Sequence, residues 1–319
     1  MRVAYFVQTH RQPEQVLRLL TRLREGSPDA ALVVGHCPTA PPLDETRLRA
    51  LDALHFRHAR QGRRGYWSLL EPYFTAVELL AERGVDYDWL VYLSGADYPL
   101  QPLARTEAEL AASEWDGYMT YFPIDQPFED GRRRQGRVRY GYEYVDRPDR
   151  MPLLRVLRKL NSRQPWFQVH LTYGPRFGRR LRHIPALRGR TVHRGSQWTT
   201  LRRSAVDKVM AAYRGEPDLV KYFEATVCPD EAFVQTVLLG EKGMRFCNDH
   251  RRCVGRVYGK DGHPQTWKLA DGPALVASGC HFGRKVDPEV DAALIDYLDE
   301  RLIEDEGRDA SAAHAISQR

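Results

Sequence analysis

Two adjacent carboxylates, Asp230 and Glu231, follow Pro229 just before the apolar segment FVQTVL. A carboxylate so placed can take a proton from an attacking hydroxyl during group transfer. Acids at a predicted helix start also offset the positive end of the helix dipole, which is their commoner use. Another acid, Asp97, follows the run Leu90-Val91-Tyr92-Leu93 after Ser94-Gly95-Ala96, and Pro99 stiffens the turn. In an open α/β sheet the crevice beyond such a strand is where ligands bind. Small residues there let a ligand approach the backbone closely. An ordinary turn, with Asp97 as a local acceptor, fits the same residues equally well.

Metal chemistry is less well supported by the spacing. Asp86 and Asp88 imitate a D-x-D metal pattern, but they precede the apolar run, whereas a metal motif should follow it. The single Asp97 that does follow is a poor site for Mg²⁺ or Mn²⁺, which take several hard oxygen ligands. Cys247, His250 and Cys253 suggest zinc by residue type, but no second pair completes a structural site. These cysteines read as buried thiols on neighbouring strands and turns.

Positioning these groups requires a sheet with helices. Val3 to Val7 reads as a strand. A helix follows with Val16, Leu17, Leu19, Leu20 and Leu23 on one face, broken at Gly26-Ser27-Pro28. Ala31 to Val34 is a second strand. A long helix runs to Leu80, capped by Ser68 with Pro72 in its first turn, and leads into the Leu90 to Leu93 strand. This alternation predicts an α/β fold with a largely parallel sheet. Beyond Tyr118 the pattern loosens. MTYFPID suggests a strand, LLRVLRKLNSRQP a basic helix, and further helices start near Ser204 and at Pro229. A last amphipathic helix closes a single domain over 1–307, and the small, polar residues 308–319 read as a disordered tail.

Composition sets outer limits. The chain has 319 residues, 42% of them hydrophobic and 28% charged, with a net charge of +6. Such a balance fits an anionic partner or a solvated arginine-rich surface. Five scattered cysteines do not form a disulfide framework and read as reduced thiols of a cytoplasmic protein. The first ten residues read as a strand rather than a signal peptide. No apolar run reaches the roughly 18 residues of a transmembrane helix.

Several blocks, in order, resemble the core-2/I-branching N-acetylglucosaminyltransferase and peptide O-xylosyltransferase family. LSGADYP is similar to its LSG-x-D-[FY]-P signature, and GYWSLLEPYFTAVELL to the segment before it. GSQWTTLRRSAVDKV, CPDEAFVQTVL and SGCHFGRKVD are similar to later family blocks, and HPQTW to the HPKT of bacterial members. Any one block is weak, but together in order they are specific.

The resemblance implies an A-type glycosyltransferase fold, with a Rossmann-like mixed sheet flanked by helices. It implies an inverting enzyme that uses a UDP-sugar and no divalent metal. The nucleotide-sugar side would be about 1–117, and 118–307 the acceptor side with the catalytic base. Glu231 would be that base, with Asp230 as its neighbour. Arg284 and Lys285 would hold the diphosphate, the guanidinium as a planar fork and the ammonium as a point charge. By their place in the sequence alone, and not by the resemblance, Arg256, His263 and Lys268 could assist. Thr9, His10, His36, Ser94, Gly95 and Asp97 would contact the donor. Asp125, Arg139, Tyr142, Glu143, Trp198 and Asp230 would lie on the acceptor side.

The sequence departs from the family pattern at two places. Cys37 or Pro38 stands where an acid is expected after His36, and Arg64 where a tryptophan precedes Gly65. The donor base and sugar therefore stay open. A non-catalytic nucleotide- or glycan-binding module on the same fold is the alternative. A nucleic-acid binder would use the arginine-rich 131–163 segment, where Tyr140, Tyr142 and Tyr144 interleave with cations. No known nucleic-acid motif accompanies them, so nucleic acid is not the expected partner.

Overall fold

The computed structural model describes residues 1–125, 135–255 and 264–317. By internal contacts the chain divides into two compact units. Unit 1 is Met1–Ala59, Ala76–Glu114 and Asp249–Arg319; unit 2 is Arg60–Thr75 and Trp115–Asn248. The C-terminal segment, however, belongs with the N-terminal unit rather than with the second half.

In unit 1, β1 (Val3–Thr9), β2 (Ala31–His36), β3 (Ala53–Arg57) and β4 (Trp89–Ser94) run parallel in the order β4-β1-β2-β3. Every residue of β1, β2 and β4 is buried. That is why these strands read as unbroken apolar runs rather than as alternating ones. Helix α1 (Pro13–Gly26) buries Val16, Leu17, Leu19, Leu20 and Leu23 completely. Each such side chain contributes about 1.5–3 kcal/mol, so a charge at Leu20 would unseat the helix.

Because the strands are parallel, their carboxyl ends align. Thr9 lies opposite His36, and Gln8 opposite Ser94. The short strand β5 (Asp97–Pro99) pairs antiparallel with Phe282–Arg284, which puts Arg284 opposite Asp97. Phe282–Arg284 also pairs with Arg252–Val254.

The last helix, Pro288–Ser317, departs from helical geometry at Asp291 and buries Leu294, Ile295, Leu298 and Leu302. The tail predicted to be disordered after Gly307 instead continues this helix to Ser317. Alanines at 310, 312, 313 and 315 favour helix. Asp309 receives two hydrogen bonds of 2.6 Å from Arg105, which ties the extension to the body.

Unit 2 holds three short strands in which Thr200–Arg202 and Phe246–Cys247 flank Gly117–Tyr118, antiparallel and parallel respectively. A separate antiparallel sheet is made of Tyr142–Asp146, Arg176–Arg180 and Phe167–His170. The core of the unit includes Phe74 stacked on Tyr213 at 3.8 Å between ring centroids, with Trp67 and Phe233 edge-on to one another. Ser68 is not the predicted cap. It lies in a 3₁₀ turn, Trp67–Leu69, and its hydroxyl accepts the Arg63 N–H at 3.0 Å. The α-helix starts later, at Glu71. Both units are mixed α/β, the class read from the sequence.

Candidate active site

The carboxyl edge of the unit 1 sheet gathers the first group of predicted residues. Thr9, His36 and Ser94 end their strands side by side, and His10 follows Thr9. Gly95 is required by the packing: a Cβ there would sit 2.8 Å from Thr9 Oγ1 and 2.9 Å from Val16 Cγ2. Asp97 is fully buried, with both oxygens engaged. Oδ2 accepts the Ser94 N–H at 2.5 Å, and Oδ1 lies 3.1 Å from Arg284 Nη1, which also donates to Ser94 Oγ. Asp97 is therefore both the local turn acceptor and the carboxylate that aims Arg284. The Val286 N–H donates to the Ala96 carbonyl at 2.9 Å, fixing Arg284-Lys285-Val286 against the same turn.

A second cation, Arg252, stands close behind. It is buried and donates to the Tyr92 carbonyl at 2.7 Å and the His250 carbonyl at 2.6 Å. Burial lowers its pKa to about 10, while Asp97 favours its charge, so it stays cationic at neutral pH. Buried Asp287 accepts from Arg11 Nη2 at 2.7 Å and Gln12 Nε2 at 2.6 Å, clamping the loop after β1. At His10, desolvation comes first and the charges of Arg11, Lys285 and Arg284 second; together they lower the imidazole pKa from its ordinary value. The cationic part of that shift, from Arg11, Lys285 and Arg284, is the part that would also favour an anion.

Unit 2 presents acids instead. Asp230 and Glu231 stand on a separate 3₁₀ turn, Pro229–Glu231, rather than in the predicted helix, which begins at Phe233 after a non-helical Ala232. Helix-dipole compensation therefore does not account for them. The turn is anchored through Cys228, which has a left-handed backbone at φ 56°. Its N–H donates to the Gly65 carbonyl at 3.1 Å, and its carbonyl accepts from the buried Tyr140 hydroxyl at 2.8 Å. Gly65, at φ 83°, cannot be replaced freely, since a Cβ would sit 2.7 Å from the Tyr173 ring.

Glu231 is 37% exposed, and its Oε2 lies 2.5 Å from Nη1 of Arg139, itself 14% exposed. Asp230 is buried, and its Oδ1 has no hydrogen-bond partner among the described residues. Burial first, and the charge of Glu231 second, raise the Asp230 pKa to about 7, while Arg139 and Arg64 oppose the shift. The turn thus offers one oriented, solvent-reaching carboxylate and one buried carboxyl.

The predicted residues divide cleanly. Thr9, His10, His36, Ser94, Gly95, Asp97, Arg284 and Lys285 belong to unit 1. Asp125, Arg139, Tyr142, Glu143, Trp198, Asp230 and Glu231 belong to unit 2. Within unit 2 the acceptor candidates are not gathered equally. Asp125 lies on an exposed turn, and Glu143 pairs with Arg179 at 3.0 Å. Tyr142 is buried and donates to the Pro165 carbonyl at 2.9 Å. Half-buried Trp198 donates its backbone N–H to Ser196 Oγ at 3.2 Å. Arg139 holds Glu231.

Tyr140, Tyr142 and Tyr144 are all buried, so they offer no stacking platform for bases. Arg256 and His263 lie outside the described residues, and the Lys268 N–H opens a short turn by donating to Asp271. At the metal-like pair, Asp88 Oδ2 accepts the Arg2 N–H at 2.7 Å, at the amino end of β4 and away from Ser94.

Sequence reasoning missed Arg252, Asp287 and the anchoring role of Tyr140. Asp287 carried a signal as the acid two places after Lys285. Arg252 and Tyr140 carried none, because their roles depend on long-range pairing.

A fixed cationic edge and an oriented carboxylate are the equipment of an enzyme that transfers a group from an anionic donor. A family model described as Core-2/I-Branching enzyme matches residues 3–273. The chain belongs to that family, whose members are glycosyltransferases, and this implies a nucleotide-sugar donor and an acceptor. The mixed α/β architecture is consistent with the A-type glycosyltransferase fold. Arg284 and Lys285 lie beyond the matched range. No curated protein matches. Among solved structures, the chain is similar to 2-C-methyl-D-erythritol 4-phosphate cytidylyltransferase from Thermus thermophilus. The identity is 13%, over 86% of this chain and 98% of that one, and the TM-score of 0.28 carries no argument. Among the described residues no helix is long and apolar enough to cross a membrane.

Proposed function

We propose that the protein is an inverting, metal-independent glycosyltransferase that moves a sugar from a nucleoside diphosphate, a UDP-sugar in the family pattern, to a hydroxyl of a small-molecule or glycan acceptor in the cytoplasm. The acceptor oxygen attacks the anomeric carbon as the bond from that carbon to the diphosphate oxygen breaks. Glu231 takes the hydroxyl proton, and the departing diphosphate keeps the bonding electron pair. Arg284 and Lys285, supported by Arg252, balance the charge that develops on the leaving group. Asp97 positions Arg284, and Arg139 orients Glu231.

The observation that carries this reading is the ordered pair Glu231–Arg139, on a turn inside the family match. Independence from metal is supported by how the acids are used. Asp97 has both oxygens engaged, and Asp88 is bonded to the chain start at the far end of its strand. The test is transfer from a panel of nucleotide sugars, with and without EDTA. Transfer that survives EDTA supports the reading. Transfer that EDTA abolishes and Mn²⁺ restores would overturn the metal-independent mechanism.

A further inference from the structure

A helix on the surface of unit 2 is built inside out. Met151–Leu157 and the 3₁₀ turn Arg158–Leu160 form one continuous rod. Only Leu154 is buried in it, at 2% exposure. Leu153, Val156 and Leu160, spaced i, i+3 and i+7, share a face that points to solvent at 50%, 61% and 37% exposure. A surface helix normally turns that face inward.

Trp166, 66% exposed, extends the apolar surface and is held in place. Its N–H donates to Gln164 Oε1 at 2.7 Å, and its carbonyl accepts the Arg180 N–H at 2.9 Å. Asn161 bonds Val169 through both its amide nitrogen and its amide oxygen at 2.9 Å, tying the loop to the strand behind it.

The charge along this apolar ridge is mainly positive, with Asp149 and Glu143 as the nearby acids, paired with Arg150 and Arg179. Arg155, Arg158, Lys159 and Arg163 are exposed along it, and Arg180 lies beside Trp166. Residues 150–206 contain fourteen Lys and Arg and not one Asp or Glu, against a whole-chain net charge of +6. The rest of the chain is therefore net acidic; of the fourteen, Arg155, Arg158, Lys159 and Arg163 line the ridge, whereas Arg176 and Arg194 are buried. A polyanion alone would explain the cations but not three aliphatic side chains and a tryptophan turned outward. An anionic lipid surface explains both. Aliphatic side chains enter the boundary between headgroups and acyl chains, tryptophan sits at the headgroup level, and basic residues face anionic headgroups.

We infer that the ridge Leu153-Val156-Leu160 with Trp166, flanked by its cations, docks unit 2 on an anionic membrane surface. This does not rest on the proposed transfer reaction. The test uses the full chain and phosphatidylcholine vesicles with and without phosphatidylglycerol, read by co-sedimentation. The protein sediments with the anionic vesicles and not with the neutral ones.

Each basic residue near such a surface contributes roughly fivefold in partitioning. Arg155→Gln, Lys159→Gln and Arg163→Gln together therefore lower binding about 100-fold, and high salt does the same. Val156→Ser, Leu160→Ser and Trp166→Ser together lower it at least about tenfold at unchanged charge. These side chains are exposed, so circular dichroism and the unfolding midpoint stay close to those of the parent chain.

Any of four results would overturn the inference. One is failure to sediment with anionic vesicles. Another is unchanged binding by the serine variant. The third is tight binding to an RNA oligonucleotide that the glutamine variant loses and the serine variant keeps. Self-association that only the serine variant abolishes, without vesicle binding, would count equally against it.

Discussion

The carboxyl edge of unit 1 and the acid turn of unit 2 both place a buried carboxylate beside an arginine, and they use it in opposite ways. At the edge, Asp97 has no exposure and both oxygens are occupied, by the Ser94 N–H and by Arg284. Arg284 beside it and Arg252 close behind make the local set of side chains richer in cations than in acids. At the turn, Asp230 is equally enclosed, but one oxygen has no partner among the described residues and the neighbouring charge is another carboxylate. Its charge is not fixed, and Arg139 is committed to Glu231. The difference is what the proposed roles require: cations held in place for an anion at the edge, and a carboxyl whose burial disfavours its charge at the turn.

The largest expected effect comes from removing the proposed proton acceptor. Glu231→Gln lowers kcat by about 10³-fold, within the range of a general base, and leaves nucleoside diphosphate affinity near that of the parent. Steady-state transfer assays and calorimetric titration with the diphosphate separate the two. Normal turnover in the variant would remove Glu231 as base and erase the contrast between the regions.

Next is the fixed pair. Asp97→Ala leaves Arg284 without its carboxylate in a buried place and costs about 3–5 kcal/mol of stability. Asp97→Asn, which still accepts the Ser94 N–H, costs less. Urea unfolding midpoints of the two variants measure this, and equal, small losses would show that the ion pair does not organise the edge.

Asp230 behaves differently with pH. Its carboxyl keeps a proton in the folded chain up to about pH 7, while the unfolded chain releases it near the ordinary value. Between those values the folded state binds more protons, so its contribution to stability falls as pH rises and levels off above about 7. Asp230→Asn removes that fall. The variant matches the parent near pH 4 and exceeds it at pH 8, by at most about 4 kcal/mol. A stability difference that does not grow between pH 5 and pH 8 would show that Asp230 is ionised throughout that range.

The two regions were not equally legible in the sequence. The strand ends at Thr9, His36 and Ser94 could be read because parallel strands buried on both faces announce themselves as apolar runs, and parallel pairing aligns their ends. The final helix was placed, but not its extension past Gly307, where an ion pair between Arg105 and Asp309 joins residues 204 apart in sequence. In unit 2 the acids were found but their setting was not. A proline followed by two acids and an apolar run reads as a helix start. The chain breaks at Ala232 after a turn whose Cys228 is held by Gly65 and Tyr140, neither of them local. The tyrosines at 140, 142 and 144 invited a surface reading and proved to be core, since alternation alone does not say which face of a segment is covered.

The smallest effect sharpens the comparison most. Lys285 shares the cationic edge but stands outside the Asp97–Arg284 pair that organises it, so Lys285→Ala removes charge without unseating a buried carboxylate. Its unfolding midpoint should stay within about 0.5 kcal/mol of the parent, as for a substitution away from the core. Nucleoside diphosphate affinity should fall about tenfold, the weight of one charge-assisted contact to phosphate. Glu231→Gln should give the reverse pattern, with affinity kept and turnover lost. If Lys285→Ala leaves the affinity unchanged in the same titration, the anion is held by Arg284 and Arg252 without it. The edge would then depend on those two arginines alone.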